Sequence, residues 1–90
     1  MRIEFDPDKQ ARTLAERGVD FLDAPELFAG PEVSFPDLRL DYGEPRTITV
    51  GWLKERLAVV VWTPRGEARR IISMRYANER EIAKYRDRLG

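Results

Sequence analysis

The sequence predicts an α+β fold: two N-terminal helices, an antiparallel β-sheet meander, and one C-terminal helix. Apolar residues recur at helical spacing only towards the two ends of the chain. Between residues 47 and 76 the apolar period changes to two, and turn-forming residues cut that stretch into strand-length pieces. Ninety residues suit one domain with a modest core, so 1–90 is read as a single unit.

Arg2-Ile3-Glu4-Phe5 alternates polar and apolar, as a short first strand does. Asp6-Pro7 then opens a helix, because Asp caps free amides and Pro at the first helical position has no N–H to lose. Ala11, Leu14 and Ala15 form its apolar stripe, and Gly18 supplies a left-handed stop. Asp20 caps a second helix in which Phe21, Ala24, Leu27 and Phe28 share one face. Pro25 makes that helix start late, near Asp23, or run irregularly. Residues 31–46 contain Pro31, Pro36, Gly43 and Pro45, and hold one short edge strand near 33–35 followed by a polar loop.

Ile48, Val50 and Trp52 then alternate with Thr47, Thr49 and Gly51. Beyond the Lys54-Glu55-Arg56 connection, the unbroken apolar run from Leu57 to Trp62 marks a central strand covered on both faces. Pro64-Arg65-Gly66-Glu67 turns the chain into a last strand, Ala68 to Tyr76. Strict alternation there sets Ile72 and Met74 against Ile71, Ser73 and Arg75. Asn78-x-x-Glu81 is a capping-box pattern, and Ile82, Tyr85 and Leu89 are the stripe of the final helix.

Composition narrows the chemistry. The chain has neither cysteine nor histidine, which argues against disulfides, zinc and haem and removes the side chain that titrates nearest neutral pH. No cofactor or metal site is expected. No apolar run approaches a membrane span and the first residues lack a signal-peptide pattern, so a cytoplasmic protein is expected. The net charge of zero hides an asymmetry. Residues 1–45 carry 5 Lys/Arg against 11 Asp/Glu, and residues 46–90 carry 11 against 5. That split builds a basic surface for phosphate or for an acidic partner chain, or lets the two halves neutralise each other in the fold.

No nucleotide-binding glycine loop and no serine or cysteine nucleophile with a histidine partner is present. The remaining acid–base groups suit phosphodiester cleavage by an RNA's own 2′-hydroxyl, where positioning and charge neutralisation do most of the catalysis. If Ile72 and Met74 pack under the helices, Arg69, Ser73 and Arg75 stand on the opposite sheet face with Thr47 and Thr49. Paired guanidiniums and hydroxyls would bind phosphate there. A solvated sheet face with ordinary cross-strand pairs explains the same residues. Trp52, Trp62 and Tyr76 could stack on bases, but the core is the better reading because Trp52 shares its face with Ile48 and Val50, with Tyr76 the most open of the three. Lys9 sits at the positive end of the first helix, an unfavourable place for a lysine unless it has a task.

Taken in order, several segments resemble the BrnT family of ribonuclease toxins. They are Phe5-Asp6-Pro7-Asp8-Lys9, Gly18-Val19-Asp20-Phe21-x-x-Ala24, Phe28, Glu44-x-Arg46-x-Ile48-x-Val50-Gly51, Val60-Val61-Trp62-Thr63-Pro64-Arg65-Gly66 and Arg70-Ile71-Ile72-Ser73-Met74-Arg75-x-Ala77. Glu81 and Tyr85 follow in the last helix. The resemblance implies a RelE-like fold, metal-independent RNA cleavage, and neutralisation by a BrnA-type antitoxin through which alone the pair reaches DNA. It places catalytic roles on Lys9, Arg46, Arg65, Arg75, Glu81 and Tyr85; the basic strand and its sheet face, read from the residues themselves, add Thr49, Arg69, Arg70 and Ser73 as substrate-binding neighbours. The first helix departs from the family pattern: Thr13, Glu16 and Arg17 stand where relatives carry Asn, Lys and His. A catalytically weak binding module, acting as a corepressor partner, is therefore the alternative reading, and a stand-alone RNA-binding domain is a third.

Overall fold

A computed structural model describes residues 1–90. Strand β1 (Arg2–Glu4) leads into helix α1 (Pro7–Arg17), a 3₁₀ turn at Phe21–Asp23 and the short helix α2 (Ala24–Ala29). Strands β2 (Glu32–Pro36), β3 (Thr47–Leu53), β4 (Arg56–Arg65) and β5 (Ala68–Tyr76) follow, and helix α3 (Glu79–Leu89) ends the chain. The expected order of elements is present. The broken second helix follows from Pro25, which lies in the first turn of α2, where its missing N–H costs nothing.

One expectation needs correcting. The sheet is mixed, in the order β1-β5-β4-β3-β2. Strands β2 to β5 form the antiparallel meander, but β1 lies parallel to β5, pairing Arg2 with Ala68 and Glu4 with Arg70. Three residues carry too little pattern to show orientation. Placing β1 beside β5 sends the chain across to the far edge, where β2 starts the meander.

Local signals explain the helix ends. Asp6 accepts the Asp8 N–H at 2.9 Å, and Gly18, at φ 71°, donates its N–H to the Leu14 carbonyl. Asn78 and Glu81 exchange both bonds of a capping box at the start of α3.

The two sheet faces bury separate cores. On one, Val19, Phe21, Ala24 and Leu27 pack on Leu53, Ala58, Val60, Ile71 and Met74. On the other, Tyr85 and Leu89 of α3 cover Val50, Leu57 and Val59. Strand β4 lies between them, and its run Leu57–Val61 is buried throughout. Gly51 lets α2 approach β3, since a Cβ there would sit 3.0 Å from Leu27 Cγ.

Helix α1 reverses the usual arrangement. None of its residues is buried, and Leu14, in the middle of the apolar stripe, is 45% exposed. Its polar stripe Lys9, Thr13, Arg17, spaced by four residues, turns instead towards β5. Phe21→Ala should therefore cost ~3–5 kcal/mol of stability, whereas Leu14→Gln should stay within ~0.5 kcal/mol of wild type. Urea denaturation of the two variants measures the contrast.

Candidate active site

Strand β5 carries a bulge that decides which side chains meet. Val60 pairs with Met74 and Val61 with Ser73, but Trp62 pairs with Ile71, so the ladder skips Ile72. Ile71 and Met74 thus share the α2 face, and Ser73 and Arg75 share the other. Counting by twos misses this shift.

Arg69 is the casualty. It lies on the α2 face, its guanidinium 4.5 Å from the Phe28 ring centroid and 4.1 Å from that of Trp62. Its Nη1 is buried without a hydrogen-bond partner, so the aromatic faces provide its electrostatic compensation. Thr49 is also on that side and fully buried, bonded to Ser34 at 2.8 Å and to the Trp62 indole at 2.9 Å. Neither residue reaches the face that carries Arg75, and Thr47, two residues before Thr49, shares its side.

On the α3 side, two cross-strand rows form a floor. One runs Phe35, Ile48, Val61, Ser73, and the next runs Val33, Val50, Val59, Arg75. Both are apolar until they reach β5, where they end in a hydroxyl and a guanidinium. Helix α3 covers only part of this floor. The remainder is a cleft of about 410 Å³ lined by Arg17, Arg39, Arg75, Ser73, Glu81 and Tyr85 together with the floor residues. The Tyr85 ring stacks on Phe35, with centroids 6.3 Å apart.

Arg75 is held by both carboxylate oxygens of Glu81, at 2.7 and 2.8 Å. The same carboxylate accepts the Asn78 N–H, so one side chain fastens the last strand to the start of α3. The Arg75 hydrogen bonds hold the Glu81 carboxyl well below its ordinary 4.5, at about 2, and the pairing raises Arg75 in turn. Arg39 comes from the loop between β2 and β3. Asp37, buried at the start of that loop, binds the Arg39 guanidinium at 2.7 and 2.8 Å and accepts from its N–H and from Tyr42. These bonds push the Asp37 carboxyl far below the usual range, despite burial. The Arg39 charge is near enough to act on Arg75.

The other expected residues lie at varied distances from this cleft. Lys9 lines a groove next to it and donates to the Ile72 carbonyl. Burial lowers the Lys9 pKa, and the charges of Arg46, Arg12 and Arg70 add to that effect. Arg46 packs over the Tyr42 ring at 4.0 Å and shares Glu44 with Arg65, at 3.2 and 3.5 Å respectively. Arg65 is half exposed and lines neither cavity. Arg70 faces Glu4 at 3.8 Å. Arg17 and Arg39 are the residues that sequence reasoning missed. Arg17 reads as an ordinary helix-end cation, and Arg39 sits in a segment whose only pattern is proline and glycine.

A family model described as the ribonuclease toxin BrnT of type II toxin–antitoxin systems matches residues 5–81. The chain belongs to the BrnT family. No curated protein matches it. Membership in a family of ribonuclease toxins implies an RNA target and an antitoxin protein partner, and the BrnT match runs from the residue after β1 to the first turn of α3. No helix is long and apolar enough to cross a membrane.

The Arg75–Glu81 pair has a pH signature. Because the folded carboxyl titrates below its ordinary 4.5, the pair stabilises the fold above that pH and loses this contribution as pH falls towards 2. With solvent screening of a partly exposed pair, the contribution is about 1 kcal/mol. Glu81→Gln should flatten the fall in stability between those pH values by that amount, read from urea melts at successive pH.

Proposed function

We propose that this BrnT chain cleaves RNA in the cleft between α1, β5 and α3, by attack of a 2′-hydroxyl on the adjacent phosphorus. The observation that carries the reading is the convergence of three guanidiniums, Arg17, Arg39 and Arg75, on one cleft with an apolar, partly aromatic floor. The 2′-oxygen forms a bond to phosphorus while the bond to the 5′-oxygen breaks, leaving a cyclic phosphate and a 5′-hydroxyl. One proton leaves the 2′-oxygen and one is delivered to the 5′-oxygen. The crowded intermediate gains negative charge, and fixed guanidiniums stabilise it without reorganising.

The reading is metal-independent, because the cleft presents cations and its one carboxylate is already committed to Arg75. Glu81 is fully ionised at neutral pH and engaged at both oxygens, so it acts best by positioning Arg75. Lys9, whose ammonium loses its proton more readily than usual, is the better candidate for proton transfer at the leaving oxygen. Tyr85 offers a ring beside Phe35 for a base. Arg46, Arg65 and Arg70 contribute long-range positive potential rather than contacts in the cleft. The fold relationship is to RelE-like toxins, and the antitoxin is of the BrnA type, linking the pair to DNA and covering the cationic cleft with acidic side chains.

The missing histidine favours a second reading, in which the chain binds RNA or its antitoxin but cleaves weakly or not at all. Purified wild type should cleave a single-stranded RNA in the presence of excess EDTA and leave a 2′,3′-cyclic end. Arg75→Ala should lower kcat by roughly 100-fold or more while its circular dichroism stays native. Binding of RNA without any cleavage by wild type decides for the second reading.

A further inference from the structure

A groove of about 270 Å³ adjoins the cleft, lined by Lys9, Arg12, Thr13, Glu16, Arg17 and Ser73. Arg17 and Ser73 line both cavities, so the groove and the cleft adjoin at these two side chains. The groove carries three cations against one carboxylate, and none of Lys9, Arg12 and Arg17 forms an ion pair. Crowding like charges without partners is costly in a folded chain and is relieved by an anion.

The cations are also placed rather than loose. Lys9 donates to the Ile72 carbonyl, and Arg17 donates through Nη1 to the Met74 carbonyl at 3.3 Å. These two carbonyls flank Ser73. Each cation keeps further N–H donors after its backbone bond, two on the ammonium and several on the guanidinium. Ser73 and Arg75 are two residues apart on β5, roughly 7 Å, a separation that consecutive phosphates of an extended strand span.

We propose that this groove is a second phosphate subsite, which grips the phosphate next to the one being cleaved in the cleft. Arg12 binds its outer oxygens, Arg17 stands between the two phosphates, and Lys9 and Ser73 lie at the junction with the cleft. The proposal rests on the cleft being the RNA-cleaving site and adds to it a preferred substrate: a single-stranded RNA with at least two consecutive phosphates. It also gives Arg17 a task in this chain that depends on permanent charge, which an imidazole at that position would supply only in part near neutral pH.

The test compares wild type, Arg12→Gln and Arg12→Lys on oligoribonucleotides of two, three and four nucleotides. Arg12 is exposed and lines the groove but not the cleft, so its variants should retain the fold. Wild type should gain roughly tenfold in kcat/KM on passing from one phosphate to two or three. Arg12→Gln should lose most of that gain through KM, with kcat held, and should cleave the dinucleotide as wild type does. Its log KM should depend on log salt with a slope shallower by about 0.7, the value for one phosphate contact on a single strand. Arg12→Lys should restore both readouts in large part. Wild-type cleavage that is indifferent to length, or an Arg12→Gln variant with unchanged gain and slope, overturns the subsite alone. A wild type inert towards every RNA overturns the ribonuclease reading and the subsite with it.

Discussion

Much of the site follows from where β1 stops. It pairs with β5 only as far as Glu4 opposite Arg70, which leaves the next stretch of that edge without a strand. Unpaired strand groups must find partners, and here the partners are cations on α1. Lys9 and Arg17 bond the carbonyls of Ile72 and Met74. A helix finishing a sheet edge with charged side chains has to turn its polar stripe inwards. The exposure of Leu14 and the lack of any buried residue on α1 are the other side of that choice.

The same geometry concentrates charge. Basic residues from α1, from the loop after β2 and from β5 come from distant parts of the sequence, yet Arg17, Arg39 and Arg75 line one cleft. Two of them are held by carboxylates: Asp37 for Arg39 and Glu81 for Arg75. Such pairs add little stability when partly exposed. Their larger effect is on direction, since each fixes the orientation of a planar guanidinium. Arg69 is the instructive contrast. It is as cationic as its neighbours, but the bulge at Ile72 turns it to the other face, where Phe28 and Trp62 enclose it.

The fold was readable to the extent that its signals are local. The caps at Asp6 and Asn78, the stop at Gly18 and the doubly covered strand Leu57–Val61 are encoded within a few residues each, and the structure contains them all. The parallel pairing of β1 was not readable, because orientation depends on a partner more than sixty positions away. Within the site, Ser73, Arg75, Glu81 and Tyr85 line one cleft, as neighbours on β5 and α3 are apt to do. Arg69 and Thr49 were misplaced for different reasons. The first lies beyond a bulge, which resets the period. The second lies on a strand whose alternation was read correctly, but whose hydroxyl side faces α2 rather than the cleft.

The absence of histidine bears on how such a site works. With Glu81 held at about 2 and bound to Arg75, its carboxylate keeps its charge across the whole neutral range. It is thus a poor proton acceptor and a reliable anchor. A phosphate entering the cleft does not need to displace it, because a guanidinium has five N–H donors and Glu81 takes one from each terminal nitrogen. In the proposed reaction Arg75 is shared between a permanent carboxylate and a transient phosphate, and the extra charge formed at phosphorus strengthens the second contact more than the first. That difference is what lowers a barrier, since only interactions that grow towards the transition state accelerate the reaction. In the proposed reaction, fixed positive charge does most of the catalysis, and proton transfer by Lys9 or by water makes up the remainder.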